Sequence, residues 1–396
     1  MVLRQLRTEE FDQSIALSQF AFQFVLPADM LEDMRKKFKP DDYWGIFDES
    51  DRLTSKLILL PLQLWVQGRT FAMGGIAGVA SWPEARRQGG VKQLLLHALE
   101  TMRANGQSVS MLHPFAFPFY HKFGWEFTIE RKQYTIPVGL LPPRVQTEGR
   151  VARIAKQEVN AIFAVIDPVY ATYASQFSGT LVRNVEWWEN RILNKAGEFA
   201  VYYNEAGKAE GYVFCEVASR KMTIHEWVNV TETARLALWT YVSNHDSMID
   251  EVVMKAPVED PLPFLLSNPR IKQEIEPYFM SRIVDAEAFI GEYPWMVSNQ
   301  DETLVIRLSD KVAAWNEGLF RLTIAAEGTA VLSRIDPSEE TVQDAACDIQ
   351  TLTALLLGGR SATLLAETGR LQANGETVAL FERRIPRRQT YLMDFF

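Results

Sequence analysis

The stretch ARRQGGVKQLLLHALETM, residues 85–102, decides the fold of the first part of the chain. Its second half is typical of an amphipathic helix, because the apolar residues fall at helical spacing. These residues are Val91, Leu94, Leu95, Ala98, Leu99 and Met102. The helix follows directly on two arginines and two glycines, and the strand-like segment GGIAGVASW precedes them. The sequence therefore predicts a strand, a glycine-rich turn and a helix in succession.

The turn between this strand and helix has the composition of an anion site. The first N–H groups of a helix have no intrahelical acceptor, and the helix dipole makes that end partly positive. Gly89 and Gly90 allow a ligand to approach closely, while Arg86 and Arg87 offer charge-assisted hydrogen bonds. The turn thus suits a pyrophosphate. The alternative is that the arginines are solvated and the glycines only turn the chain.

A second motif, FAFPFYHKFGWEF at 115–127, lies about 30 residues further on. The Arg-x-x-Gly run opening a helix, the strand SVSMLHPF and the pattern Tyr-x-Lys-x-Gly-aromatic-Glu together resemble the GCN5-related N-acetyltransferases. That family ordinarily has Gly or Ala where this chain has Val91. The exchange leaves the backbone amide donors in place.

The resemblance implies acetyl-coenzyme A as cosubstrate and assigns the residues that hold it. The strand before the turn would place Val79, Ala80 and Ser81 along the pantetheine and the thioester. The phosphates would face the backbone amides of Arg87, Gln88, Gly89, Gly90, Val91 and Lys92. Phe115 and Ala116 would border the cosubstrate from the next strand.

Two breaks divide the 396 residues. One is the Pro- and Gly-rich segment 137–150, and the other is PYFMSRIVDAEAFIGEYP at 277–294. We predict an α+β (mixed α/β) protein with domains at 1–145, 146–287 and 288–396. A motif-bearing acetyltransferase domain, a second lacking the motifs and a sterol-carrier-like third resemble the Eis-type (enhanced intracellular survival) acetyltransferases. Total length and the aromatic C-terminus LMDFF agree with that family.

The resemblance also implies two catalytic groups. Tyr120 would give a proton to the leaving thiolate, and its phenol is mostly protonated at pH 7. The terminal carboxylate of Phe396 would accept the proton of the amine, with Phe395 and Phe396 as apolar anchors. The alternatives are a Tyr120 that only packs in an aromatic core, a frayed tail, and His113 or His121 as the acid or base.

The substrate pocket is expected to contain Phe22, Phe24 and Trp82, with acidic residues, although any one of these aromatic side chains could belong to the core. The net charge of −9 favours cationic small molecules and argues against nucleic-acid binding. The five histidines show no metal spacing, and the two cysteines form no disulfide framework. Without an apolar run of about 20 residues or a secretory leader, we expect a cytoplasmic protein with no membrane partner.

The function predicted is acetyl transfer to primary amines of an aminoglycoside-like or polyamine-like small molecule. Two alternatives remain open at this point: acetylation of protein lysines or N-termini, and a non-enzymatic module that binds acyl-coenzyme A or a lipid. The family resemblance further implies a homo-oligomer, a hexamer.

Overall fold

The structure is a computed structural model that describes residues 2–155, 159–336, 338 and 342–396, with side chains for all of these except 159–161. Helices and strands alternate through the first 283 residues. The helices of this part are α1 (Phe11–Phe22), α2 (Ala28–Lys36), α3 (Gly90–Ala104), α4 (Phe117–His121), α5 (Val159–Ala174), α6 (Val185–Trp187), α7 (Glu232–Ser243) and α8 (Leu262–Leu265). A π-helical turn at Trp188–Ile192 extends α6.

Within the described residues, twelve strands form one continuous sheet. They are β1 (Val2–Gln5), β2 (Tyr43–Phe47), β3 (Leu53–Val66), β4 (Arg69–Ser81), β5 (Val109–Leu112), β6 (Glu126–Pro137), β7 (Arg150–Ile154), β8 (Glu198–Tyr203), β9 (Ala209–Ala218), β10 (Lys221–Asn229), β11 (Glu251–Ala256) and β12 (Lys272–Ile283). Their spatial order is β1-β2-β3-β4-β5-β12-β6-β11-β10-β9-β8-β7.

The position of β12 joins the first two regions of the chain. This strand lies between β5 and β6 and is antiparallel to both. A strand that comes late in the sequence thus completes the sheet of the N-terminal region. The domain boundaries expected at residues 145 and 287 stay predictions.

The segment 277–294 was expected to interrupt the succession of strands and helices, but regular elements cover most of it. Residues 277–283 are the end of β12, and α9 (Ala286–Glu292) follows. Residues 278–283 are all buried, because both neighbouring strands and the helices over them cover this run. A strand buried on both faces shows no alternation of polar and apolar residues, so the expected signal was missing.

The third region is a smaller sheet covered by helices. Its described strands are β13 (Glu302–Ser309), β14 (Gly318–Ile324), β15 (Ala330–Arg334), β16 (Ala345–Asp348) and β17 (Gln372–Ala373), in the order β15-β14-β13-β16-β17. Its helices are α10 (Ile349–Leu356), α11 (Ala362–Glu367) and α12 (Gly375–Arg384). Helix α10 packs on β12 and β6 of the large sheet, so the third region rests on the strands that join the first two.

The sequence TVQDAACDIQTLTALLLGG at 341–359 is typical of a helix along its whole length, but only its second half is helical among the described residues. Residues 345–348 form β16, and α10 begins at Ile349, where the Asp348 carboxylate accepts a hydrogen bond from the Thr351 N–H. Asp348 is therefore the N-cap that ends the strand and starts the helix. Thr341 lies outside the described residues.

Candidate active site

The glycine-rich turn enters α3 with an unusual backbone. Arg87 and Gly89 both have positive φ, 62° and 85°, and Gly89 is the N-cap of α3 without a side-chain hydrogen bond. Within the described residues, no acceptor faces the backbone N–H groups of residues 87–92, and the first such bond of the helix runs from Gln93 to the Gly89 carbonyl. Successive N–H groups in this conformation form an anion-binding concavity.

The two glycines of the turn serve different needs. A Cβ added at Gly89 would meet nothing within 4 Å, so the space above the N–H groups is open. A Cβ at Gly90 would lie 3.0 Å from the Ser55 hydroxyl, so this glycine is required by packing against β3. Open space over a row of free donors fits a phosphate group.

Strands β4 and β5 separate next to this turn. They are parallel neighbours only from Met73 to Ile76, paired with Val109 to Leu112. Beyond this point β4 bulges at Gly78 and Val79, and Gly78 has a φ of 56°. The bulge bends the strand away from β5 and leaves its backbone without a partner on that side.

The residues predicted to follow the pantetheine lie on this separated part of β4. The Ala80 side chain is buried in the core, and the Ser81 hydroxyl lies 2.8 Å from that of Ser55. Their side chains therefore hold the strand in place, and what they present to a ligand is backbone.

Tyr120 lies on the short helix α4, which follows β5 in the sequence. It is 2% exposed and packs against the rings of Phe115, Phe119 and Trp125, with centroids 5.2, 5.1 and 6.4 Å away. Its hydroxyl makes no hydrogen bond with any described residue, unlike the hydroxyls of most buried tyrosines. Burial raises the pKa of Tyr120 well above its ordinary value, so the phenol keeps its proton at neutral pH.

Helix α4 is held by later parts of the chain. The Arg282 guanidinium of β12 donates to the Phe123 carbonyl and pairs with Asp310, and Gln350 of α10 donates to the His121 carbonyl at 3.0 Å. Phe115 and Ala116 precede the helix, and Phe115 is largely exposed.

The C-terminus is docked beside the point where β4 and β5 separate. Phe396 is 6% exposed, with its ring 4.9 Å from that of Phe279. A Cβ added at Gly75 would lie 3.0 Å from the Phe396 ring, so the last residue packs directly on β4. Phe395 is 57% exposed and only partly an anchor.

The two histidines considered as acid or base have different surroundings, since His113 follows β5 and His121 is the last residue of α4. The ring of His113 lies 5.0 Å from that of Phe395; burial, and to a smaller extent Arg131, lowers the pKa of His113. The His121 Nε2 lies 3.4 Å from the Glu126 carboxylate, which also pairs with Arg370. His113 is thus the histidine beside the docked terminus.

A cleft of about 800 Å³ lies between the first and second regions, next to the docked terminus. Its charged and aromatic lining includes Phe11, Asp29, Asp33, Lys37, Phe38, Lys39, Asp42, Tyr43, Glu186, Trp187 and Arg191. Two residues of the cleft lie close to Phe396. The Trp187 ring is 6.3 Å from the Phe396 ring. Leu62 and the Phe396 ring both pack against Gly75, where a Cβ would meet each of them.

The charges of the cleft are unevenly matched. Lys37 pairs with Asp33, and Lys39 pairs with Glu186, each at 2.7 Å. Asp29 and Asp42 make no ion pair with a described residue, and burial raises the pKa of Asp42. Arg191 makes no ion pair with a described residue either, so the four carboxylates and three cations of the lining leave a net charge of −1, which favours a cation.

Phe22, Phe24 and Trp82, expected in the substrate pocket, do not line this cleft. Phe22 is exposed, Phe24 is half-buried, and the Trp82 ring lies 4.9 Å from that of Phe20, beside the glycine turn. Their contact with substrate stays a prediction. The residues that do line the cleft were missed, because α2 was not predicted and six of the nineteen lining residues come from the second region.

In the ranges that the structure describes, no group of three His, Cys, Asp or Glu side chains could hold a metal ion. No described helix has the length and apolarity needed to cross a membrane.

Comparison with known proteins agrees with this arrangement. Residues 2–128 and 179–283 each match an acetyltransferase (GNAT) domain, and residues 286–393 match a sterol carrier protein domain. An uncharacterized N-acetyltransferase of Streptomyces avermitilis is 24% identical over 360 residues, 85% of this chain and 83% of the relative.

Solved structures are similar over the whole length. A probable N-acyltransferase from Enterococcus faecalis is 30% identical with a TM-score of 0.91, covering 100% of this chain and 99% of that one. Eis1 from Mycobacterium abscessus shares the fold, with a TM-score of 0.80 and 19% identity over 100% of both chains. The predicted mixed α/β fold, with two tandem acetyltransferase domains and a sterol-carrier-like domain, is confirmed.

The chain therefore belongs to the GCN5-related N-acetyltransferases, as an Eis-like N-acetyltransferase that ends in a sterol-carrier-like domain.

Proposed function

We propose that this enzyme transfers the acetyl group of acetyl-coenzyme A to primary amines of a cationic small molecule with several amino groups. Acetyl-coenzyme A is the acyl donor of GNAT domains and supplies an activated thioester. The amine attacks the thioester carbonyl directly. Reaction at this carbonyl needs a neutral amine, polarisation of the carbonyl and a proton for the leaving thiolate.

Residues 87–92 would bind the pyrophosphate. Their N–H groups have no acceptor among the described residues, and Arg86 and Arg87 make no ion pair there. The unpaired edge of β4 would bind the pantetheine through backbone hydrogen bonds, since Val79, Ala80 and Ser81 turn their backbone to the gap. Phe115 and Ala116 would border the opposite side.

Tyr120 would donate the proton to the thiolate. Its hydroxyl has no hydrogen bond with a described residue and keeps its proton at neutral pH because of burial. A buried phenol without a partner is suited to form its hydrogen bond with a ligand.

The terminal carboxylate of Phe396 would accept the amine proton. The observation that carries the proposal is the docking of this residue on Gly75, next to the point where β4 and β5 separate and close to Leu62 of the cleft. A free terminal carboxyl group has a pKa of about 3.5, which is low for this task. Desolvation among Phe279, Trp187 and Phe396 would raise that pKa, and a bridging water could relay the proton.

The cleft favours a multi-amine small molecule. Its volume of about 800 Å³ is in the range of sites that enclose drug-sized ligands. Asp29 and Asp42 would attract ammonium groups, while Phe38, Tyr43 and Trp187 offer ring faces for cation–π contact. A cytoplasmic location and a hexameric assembly are part of the proposal.

The test is an acetyl-coenzyme A consumption assay over a panel of amines, with products identified by mass spectrometry. The panel contains polyamines, aminoglycosides, a lysine-containing peptide and a peptide with a free N-terminus. Turnover of the multi-amine compounds well above both peptides is expected. Faster acetylation of the peptides would instead favour protein acetylation.

A further inference from the structure

The last residues of this chain are held by the second acetyltransferase domain. Chain ends are ordinarily poorly ordered unless something ties them down. Here the backbone of Ser178 receives the tail: its N–H donates to the Gln389 carbonyl, and its carbonyl accepts from the Tyr391 N–H. The tail then passes the second domain before it reaches Gly75 in the first.

Asp394, two residues before the terminus, is the centre of this attachment. Its carboxylate accepts hydrogen bonds from Arg183 Nε at 3.0 Å and from Trp187 Nε1 at 2.7 Å. Its backbone carbonyl accepts from the Tyr278 hydroxyl at 2.7 Å. The side chains of Arg183 and Asp394 are 0% and 1% exposed, so water does not compete for these bonds.

The other edge of the Arg183 guanidinium binds the Glu226 carboxylate. Both terminal nitrogens of the guanidinium donate to that carboxylate, at 3.1 and 2.6 Å, and Tyr212 donates to it at 2.7 Å. The guanidinium also lies over the rings of Tyr170 and Trp188, 3.9 and 4.5 Å from their centroids. One rigid cation thus joins a carboxylate of the second domain to a carboxylate of the tail.

These contacts lie at the second domain's counterpart of the cosubstrate gap. Strands β10 and β11 are parallel neighbours only up to the pair Ile224 and Met254, and β10 is irregular between Ile224 and Glu226. Glu226 lies just past the separation on β10. Lys255 lies just past it on β11, and its carbonyl accepts from the Tyr391 hydroxyl at 3.4 Å. The tail therefore contacts β11 directly and is linked to β10 through Arg183, where these strands separate.

We propose that the second domain, which lacks the glycine-rich turn, has the role of a seat for the C-terminus, and that Asp394 is a positioning residue that holds the Phe396 carboxylate in the active site. The inference rests on the proposed function, in which that carboxylate is the base. We call Arg183, Trp187, Glu226, Tyr278 and Asp394 the tail clamp.

The first test is physical and independent of activity. Asp394→Asn keeps the shape of the side chain and removes the charge that Arg183 binds. We expect carboxypeptidase Y to release Phe396 from the full-length variant at least about tenfold faster than from the native enzyme, because the tail opens locally once the buried ion pair is lost. The release is measured by mass spectrometry.

The matched control is Glu302→Gln. Glu302 pairs with Arg383 and Arg384 in the third domain and is buried, but it does not touch the tail. Release of Phe396 from this variant should stay native. Equal resistance of the Asp394→Asn and native enzymes would overturn the clamp.

The second test is kinetic. At neutral pH, kcat of Asp394→Asn should fall about 10- to 100-fold, with the affinity for acetyl-coenzyme A unchanged and the deficit shrinking as pH rises, because a general base is needed less when the amine is already neutral. A native kcat despite rapid release of Phe396 would overturn the positioning role.

Two further measurements keep the inference separate from the proposed function. An enzyme with an amidated C-terminus reports on the carboxylate itself: if it is fully active, the base assignment fails, whatever the clamp does. If Asp394→Asn does not fold, Tyr278→Phe removes a single hydrogen bond to the tail, and it should show the same two changes at smaller size. Native protease resistance and kcat in that folded variant would overturn the clamp.

Discussion

The two acetyltransferase domains share one backbone plan and differ in what occupies it. Each has two parallel strands that are connected by a helix and separate at an irregularity: β4, α3 and β5 in the first, β10, α7 and β11 in the second. In the first domain the gap faces a turn with free N–H groups. In the second, the protein's own tail and the Glu226–Arg183–Asp394 pairs occupy the corresponding place.

The starts of the two helices show the same contrast. Helix α3 begins at Gly89 without a side-chain cap, whereas α7 begins at Thr231, whose hydroxyl accepts a hydrogen bond from the Ala234 N–H. A capped start has less need of an external anion, and an uncapped one is available to a ligand. The same fold can therefore provide a cosubstrate site or a binding site for a peptide segment, depending on a few residues at the strand ends and the helix start.

The largest effect is expected from Gly89→Glu. A carboxylate at this turn places negative charge against the pyrophosphate, and the positive φ is unfavourable for a side chain. We expect affinity for acetyl-coenzyme A, measured by isothermal titration, to fall at least about 100-fold. The control is Gly106→Glu, at the other end of α3, where φ is 70° and a Cβ also meets nothing within 4 Å. Unchanged affinity in folded Gly89→Glu would contradict the assignment of the first domain's gap.

Tyr120→Phe keeps the ring and removes the proton. Turnover should fall by roughly 10²–10⁴-fold, with acetyl-coenzyme A affinity nearly native. Because burial raises the pKa of Tyr120, loss of its proton should not limit the rate of the native enzyme between pH 7 and 10. Tyr134→Phe, which removes a buried hydroxyl bonded to Asp260, is the control and should keep its turnover. A full-rate Tyr120→Phe enzyme would transfer the role to water or a histidine.

The third prediction concerns the end of the chain. Amidation of Phe396 by semisynthesis removes the charge at constant length, and residues added after Phe396 move it away. Turnover at neutral pH should fall within the roughly 10²–10⁴-fold range of a lost base, less if water or His113 substitutes. The loss should ease as pH rises, since more amine then arrives deprotonated. The control is the semisynthetic enzyme with a free carboxylate, and a native rate in the amidated enzyme rules out the terminal base.

The smallest effect is expected from a change at the start of α7, the second domain's counterpart of the glycine turn. Thr231→Ala removes the cap of α7 and should lower the free energy of unfolding by about 1 kcal/mol, measured by urea denaturation. Turnover and acetyl-coenzyme A affinity should stay native, because this helix start serves stability. A large loss of activity in the folded variant would show that the second domain has a part in the chemistry.

Several elements of the structure could be predicted from short stretches of sequence. The spacing of apolar residues predicted α3, and the Gly106 position after it has the left-handed φ of 70° that ends a helix. Strand β5 was likewise predicted from its own residues, SVSMLHPF. Such elements depend on neighbours in the sequence, which a short window contains.

The missing parts depend on contacts between distant residues. Strand β12 is defined by pairing with β5 and β6, and the clamp joins Arg183 to Asp394 across 211 positions. One local signal existed: Glu226 lies in β10 next to Trp227 and Val228, and a buried carboxylate requires a cationic partner. The identity of that partner could not be read from the sequence.

The place of β12 in the sheet has a consequence for how the protein folds during its synthesis on the ribosome. Strand β6 is synthesised 146 residues before β12, which at about 5–20 residues per second is a wait of roughly 7 to 30 seconds. During that time β5 and β6 lack the strand that separates them, and their edges can pair with another nascent chain. The N-terminal domain thus depends on prompt completion of the second, and its yield in the cell should be sensitive to pauses in translation between residues 137 and 283.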